Sequence, residues 1–243
     1  MTRQLEIAGL TKRFGGLTAL NGIEMSVDNG EMLGLIGPNG SGKTTLLNII
    51  SGYYEADGGT LAFDGQQILG KSPHELARRG IGRSFQVTKV FRRLTVLENM
   101  LVAGLSDWRT GRPKALDQAH AILRDLKLDA LSGARASSLS GGQSKLLEFA
   151  RIMMLSPRLV LLDEPFGGVH PELKEFMHDC VRAWNDDGVT IILISHDMGS
   201  IFGLCRRVVT LSYGEIICDG TPEETRNDPA VLEAYLGYSH DAA

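Results

Sequence analysis

The sequence predicts an α/β domain whose sheet is mostly parallel and covered on both faces. Two observations carry this. The stretch Gly37-Pro38-Asn39-Gly40-Ser41-Gly42-Lys43-Thr44-Thr45 joins an apolar run, Met32 to Ile36, to a helix-like run, Leu46 to Ile50. That is the strand–loop–helix setting of a P-loop. Later, Leu159 to Leu162 is wholly apolar and Val189 to Ile194 nearly so, with the helical stretch Pro171 to Asp187 between them. Apolar strands alternating with helices belong to a parallel sheet. At 243 residues the chain can form one large domain, or one domain with a subdomain.

Taken in order, Leu5, Ile7 and Leu10 begin a strand, and Lys12 to Gly16 reads as a turn carrying the aromatic Phe14. Ile23, Met25 and Val27 alternate with polar residues, as in a half-buried strand. Leu61 and Phe63 precede an Asp64-Gly65 turn. The early chain therefore reads as β-rich and antiparallel around one central strand, Met32 to Ile36. Ser72 caps a helix from Pro73 to Arg79, with Pro at its first position. Ile81 to Phe85 reads as a strand ending at Gln86, and Thr95 to Met100 and Ala115 to Leu126 as helices. The polar run Ser106 to Lys114 between them reads as an exposed loop. Leu139 to Gln143 opens a helix that reaches Leu155 and stops at Pro157. Val208 to Leu211 and Ile216 to Cys218 finish the sheet.

Composition is that of an ordinary globular chain, 43% apolar and 22% charged. A net charge of -4 gives no broad attraction to nucleic acid or anionic lipid. No apolar run approaches a membrane span, and Met1 to Gln4 leads straight into a strand pattern without a signal peptide. Cys180, Cys205 and Cys218 form no close pair and read as reduced thiols.

The glycines of the P-loop let backbone approach a phosphate, and the N–H groups from Asn39 to Thr45 are expected to point inward at a helix start that favours anions. Lys43 adds positive charge for the terminal phosphates, and the Thr44 hydroxyl is a ligand for Mg²⁺. Asp163 and Glu164 end a buried strand, where such a site lies in an open parallel sheet. Asp163 suits Mg²⁺, and Glu164 suits the general base for a water beside the terminal phosphate. Pro165 biases Glu164 towards extended backbone. Gln86 and His196 each follow an apolar strand. Gln86 is a candidate sensor of Mg²⁺ or the attacking water, and His196 a candidate partner of the terminal phosphate. Phe14 is either a base-stacking aromatic or a half-buried turn residue. His74, His120, His178 and His240 read as surface residues. Ser140, Gly141, Gly142 and Gln143 form a second helix start open to an anion. The P-loop already surrounds one nucleotide, so this second start makes sense if it reads the nucleotide of another subunit in a two-fold dimer.

Together these residues resemble the ATP-binding cassette of ABC transporters, from Leu5 to about Gly237. The resemblance rests on the Walker A loop Gly37–Thr45, the Q-loop Gln86, the signature Leu139-Ser140-Gly141-Gly142-Gln143, the Walker B residues Asp163 and Glu164, and the switch His196. It implies a P-loop NTPase with a RecA-like core, an antiparallel β subdomain and a helical subdomain over about 92–137, within one ATPase domain ending in a tail from about 238. It further implies ATP and Mg²⁺ as cofactors, a head-to-tail pair of cassettes sandwiching two ATP molecules, and transmembrane permease subunits as partners. The chain would then sit peripherally on the cytoplasmic face of the inner membrane. Phe14 falls where the family has its adenine-stacking aromatic. His170 stands where the family usually has Asp or Asn, in a loop that speaks across the dimer.

Gly80 to Gln86, Phe91 to Asn99 and the ending from Gly220-Thr221-Pro222 to Ala234-Tyr235-Leu236-Gly237 are similar to the ATPase subunits of branched-chain amino acid importers, which work with an external solute-binding protein. Cassettes for urea or for lipopolysaccharide export share much of this. A soluble cassette of translation or DNA repair would carry a second cassette, a coiled coil or zinc-binding insertions, and none is visible. A kinase would leave Leu139 to Gln143 unexplained.

Overall fold

The computed structural model describes residues 2–86, 88–104 and 112–237. Its strands form two sheets rather than one array around a central strand. The first is antiparallel, in the order β2 (Leu17–Asp28), β1 (Arg3–Phe14), β4 (Gly58–Phe63), β5 (Gln66–Gln67). The second has the order β10 (Glu215–Gly220), β9 (Arg207–Ser212), β3 (Met32–Ile36), β8 (Thr190–Ile194), β7 (Leu159–Asp163), β6 (Ile81–Arg83). All its neighbours are parallel except β9 with β10. The run Met32–Ile36 is central, as expected, but in the parallel sheet.

Alternate side chains of the parallel strands go to opposite faces, the period-two rule of a strand. Met32, Ile36, Val160, Leu162, Ile191 and Leu193 face one core. There they meet α3 (Val96–Gly104), α4 (Arg112–Asp125), α5 (Gly141–Met153), α6 (Pro171–Asp186) and α7 (Met198–Leu204). Leu33, Leu35, Leu159, Leu161, Ile192 and Ile194 face the other core. That core is closed by α1 (Lys43–Ile50) and the antiparallel sheet, so α1 lies between two sheets.

Several boundaries differ from expectation. Phe14 pairs with Leu17, and Arg13 with Thr18, so β1 runs through Lys12 to Phe14 and the turn shrinks to Gly15-Gly16. Strand β6 stops at Arg83. Helix α2 (Pro73–Arg78) has its Ser72 cap, closed reciprocally by Glu75. Helix α3 begins one residue later than expected because Thr95 is its cap: the Thr95 Oγ1 accepts from the Glu98 N–H at 3.1 Å and Glu98 returns to the Thr95 N–H at 2.7 Å. Residues 112–114 are already helical in α4, and the rest of the expected loop, with His240, lies outside the described residues. Helix α7 and the closing helices α8 (Pro222–Asn227) and α9 (Pro229–Gly237) were not anticipated. His178 is buried, against the surface expectation, because α6 turns it inward onto the Ser200 hydroxyl (2.9 Å) and the Phe166 ring (4.5 Å). Burial holds its pKa below the usual histidine value.

Candidate functional site

A cavity of about 370 Å³ opens where β3, β7 and β8 end. It gathers Phe14, Asn39, Gly40, Gly42, Lys43, Thr44, Thr45, Gln86, Asp163, Glu164 and His196. Those residues come from five separate segments, and each strand delivers its own at its carboxyl end.

The P-loop is fixed by close backbone packing. A Cβ on Gly37 (φ 144°) would stand 2.1 Å from the Leu211 carbonyl oxygen, and one on Gly42 (φ 108°) 2.6 Å from that of Ala19. No side chain other than hydrogen fits at either place. Gly42 is the N-cap of α1 and supplies no side-chain acceptor, so the first-turn N–H groups are not consumed by a cap. The Ser41 N–H departs from the expected inward aim: it donates to the Pro38 carbonyl at 3.2 Å, and Ser41 is wholly buried beneath the loop. The buried Lys43 ammonium donates to the carbonyls of Gly37 (2.7 Å) and Pro38 (2.8 Å). Burial lowers its pKa, partly offset by Glu164 and Asp163.

Asp163 is buried at the end of β7, and its N–H donates to the Ser84 hydroxyl at 3.0 Å. Desolvation pushes its carboxyl above the ordinary range, opposed chiefly by Arg83, whose guanidinium stands 3.6 Å away. Glu164 does not take the extended backbone that a following proline favours. Its φ is 51°, in the left-handed region, where its N–H donates to the Ile194 carbonyl at 3.0 Å. The parallel β8 strand therefore overrides the proline bias. Glu164 Oε1 is buried without a hydrogen-bond partner among the described residues, and His196 Nε2 is 3.6 Å from it. Burial raises the Glu164 pKa, with His196 opposing. Phe14 is 43% exposed and meets Tyr54 edge-on at 5.4 Å.

Ser140, Gly141, Gly142 and Gln143 are not in this cavity. Ser140 caps α5, with Gln143 closing the box in return. At Gly142 a Cβ would meet the tip of the Leu173 side chain at 2.2 Å, so that side chain would have to shift. At Gly141 a Cβ would meet nothing within 4 Å. His170 is exposed at the N-cap of α6 and makes no side-chain cap bond.

Two residues escaped sequence reasoning. The Arg83 side chain is largely buried and ties Asp163 to α1, donating to Asn48 Oδ1 (2.7 Å) and the Ser51 hydroxyl (2.6 Å). Glu148 of α5 accepts from the N–H groups of Phe85 (3.3 Å) and Lys89 (3.5 Å), on either side of Gln86. Both are charges at positions that become buried, and only the fold brings their partners within reach.

The ABC transporter family model matches residues 20–167, and a second, for branched-chain amino acid ATP-binding cassette transporters, matches residues 215–241. The chain belongs to the ABC transporter family, as an ATPase subunit with an α/β P-loop cassette fold. Within that family it is 37% identical to the high-affinity branched-chain amino acid transport ATP-binding protein BraF of Pseudomonas aeruginosa, over 96% of this chain and 97% of that one. It is 39% identical to the probable branched-chain amino acid transport ATP-binding protein LivG of Archaeoglobus fulgidus, over 96% and 95%. A crystal structure of an ABC transporter cassette in its ADP conformation superposes with a TM-score of 0.89 at 34% identity, covering 98% of this chain and all of that one. A dimeric cassette in a post-hydrolysis state, bound to ADP and Pi, gives 0.81 at 25%, covering 90% and 98%.

Proposed function

We propose that this chain powers the uptake of branched-chain or related amino acids through separate permease subunits. The observation that carries the catalytic part is the convergence of the P-loop, Gln86, Asp163, Glu164 and His196 on one cavity. The proposed roles follow from position. The α1 N–H groups and Lys43 hold the phosphates, and Phe14 stacks on the base. The orphaned Glu164 Oε1 is free to accept a proton from a water beside the terminal phosphate. His196 and Gln86 complete the wall around that water.

Mg²⁺ fits this donor set. The described residues hold no group of three or more His, Cys, Asp or Glu side chains. Mg²⁺ bound with nucleotide usually needs only one or two carboxylates, since phosphates and waters fill its other positions. Thr44 and Asp163 would hold it, with Gln86 nearby. When bound it neutralises charge developing on the phosphate oxygens.

The dimeric relative supports a head-to-tail pair in which Ser140, Gly141, Gly142 and Gln143 approach the nucleotide of the facing subunit, identical or paralogous. Gly141, glycine with nothing near it, suits a close approach from outside. Among the described residues no helix is long and apolar enough to cross a membrane. Kinship with transport ATP-binding proteins supports a peripheral location, against permease subunits at the inner membrane. A second cavity, about 610 Å³, lies between β6, the segment after it, α3 and α5. Phe91 and Val102, each nearly half exposed, and Val90 give it an apolar floor, with Arg78, Lys89 and Arg151 beside them. It suits an apolar permease element oriented by charge.

Reconstitution with the neighbouring permease and binding protein tests the solute. Leucine, isoleucine or valine should be taken up and should stimulate ATP hydrolysis. Failure of all three alongside success of urea or a lipid would leave the ATPase and remove the amino acid.

A further inference from the structure

The hairpin joining β9 to β10 ends at the nucleotide cavity. Its tip is Tyr213-Gly214, and two elements of the cavity hold it. The Gly214 N–H donates to the Ser41 carbonyl at 3.0 Å, and the Gly214 carbonyl accepts from the Asn21 N–H at 2.8 Å. The approach is tight: a Cβ on Gly214 would stand 2.8 Å from the Ala19 carbonyl oxygen. The place of the tip is thus set by the P-loop and by the start of β2.

Tyr213 stands beside that anchor. Its φ is 47°, a left-handed conformation that non-glycine residues seldom take. The residue is 75% exposed and lines the same cavity as Phe14 and Leu17. The anchored tip thus brings an exposed aromatic ring to the edge of the cavity. The cavity's charged groups, Lys43, Asp163 and Glu164, influence one another and form the phosphate side. Phe14 and Leu17 of the first hairpin and Tyr213 at the tip of the last supply aromatic and aliphatic lining to the same cavity.

We propose that Tyr213 is a second aromatic contact for the nucleoside of the bound nucleotide, alongside Phe14. This rests on the reading of the cavity as an ATP site. With phosphates at α1 and Lys43, the nucleoside falls along the wall that the two hairpins share. A ring there covers base and ribose with little sequence demand, since every base has a face to pack. The triphosphate gains nothing from Tyr213.

Titration of the isolated subunit without Mg²⁺ tests this, with ATP and inorganic tripolyphosphate as the two ligands. Tyr213→Ala should weaken ATP about five- to tenfold, the low end for a lost base–aromatic contact at an exposed site. Tyr213→Phe should keep nearly all the affinity, and tripolyphosphate should bind wild type and variant alike. ATP should also slow nitration of Tyr213, read by mass spectrometry. Unchanged ATP affinity, equal losses with both ligands, or nitration indifferent to ATP would each overturn the proposal. So would a loss seen only where the chain self-associates, since the ring would then belong to an interface between copies. Failure of the wild-type chain to bind ATP at all would instead overturn the nucleotide site itself.

Discussion

Helices α1 and α5 both begin in a Ser-Gly stretch, and they treat their first N–H groups in opposite ways. At α1 the cap is a left-handed glycine without an acceptor, so the helix start faces the cavity as a ready anion receiver. At α5 the Ser140–Gln143 box satisfies two donors internally. The first start is fixed by glycine packing against the Leu211 and Ala19 backbones. The second is exposed at Ser140 and Gly141 and does not line the cavity. The difference teaches that a glycine-rich helix start is complete as a site only when its own fold supplies the facing wall. At α5 the proposed wall is the facing subunit.

Breaking catalysis while sparing the α1 start should give the largest effect. Glu164→Gln should lower phosphate release about 10²- to 10⁴-fold, the usual scale of a lost general base, with ATP still bound and an ATP-loaded dimer accumulating. Near-normal steady-state release would remove Glu164 from its role. Ser140→Arg should match that loss of turnover in the assembled dimer by another route. The isolated subunit should keep its ATP affinity, and no ATP-loaded dimer should accumulate on sizing columns. Normal hydrolysis by a strictly monomeric form would end the composite-site idea.

Lys43→Ala attacks α1 directly. Loss of a charged hydrogen-bond donor should weaken ATP about 10- to 100-fold by titration, whereas no substitution at Ser140 should change binding by the isolated subunit. Equal affinity for ATP in the Lys43 variant would erase the contrast between the two helix starts. The smallest effect is at the cap. Ser140→Ala should cost about 1 kcal/mol of stability in thermal or denaturant unfolding, because one α5 donor loses its acceptor. A cost indistinguishable from zero would mean that the box is not what holds the start of α5.

The parallel core was legible in the sequence because its strands are short, apolar and bounded by marked turns. The candidate site was legible for the same reason: Gln86, Asp163, Glu164 and His196 follow apolar runs, and strand ends converge in such a sheet. Other features depend on partners distant in sequence. The pairing of Phe14 with Leu17 overrode the apparent turn from Lys12 to Gly16. His178 reads as a surface residue in sequence, yet α6 rotates it onto Phe166 and Ser200. Arg83 reads as an ordinary strand-end cation until Asn48, Ser51 and Asp163 surround it. The backbone of Glu164 was mispredicted because Pro165 is a local preference and the Ile194 carbonyl is a tertiary one.

That backbone has a consequence for how the chain would drift under selection. A non-glycine residue at φ 51° is strained by roughly 1 kcal/mol relative to glycine. Its carboxylate also sits partly desolvated with an unmatched oxygen. Replacement by glycine relieves both penalties at once. A population screened for heat resistance alone should therefore enrich Glu164→Gly, gaining a more durable scaffold as hydrolysis disappears. Screens that alternate heat with a demand for transport should purge it. Position 164 is thus where durability and work pull the same codon in opposite directions.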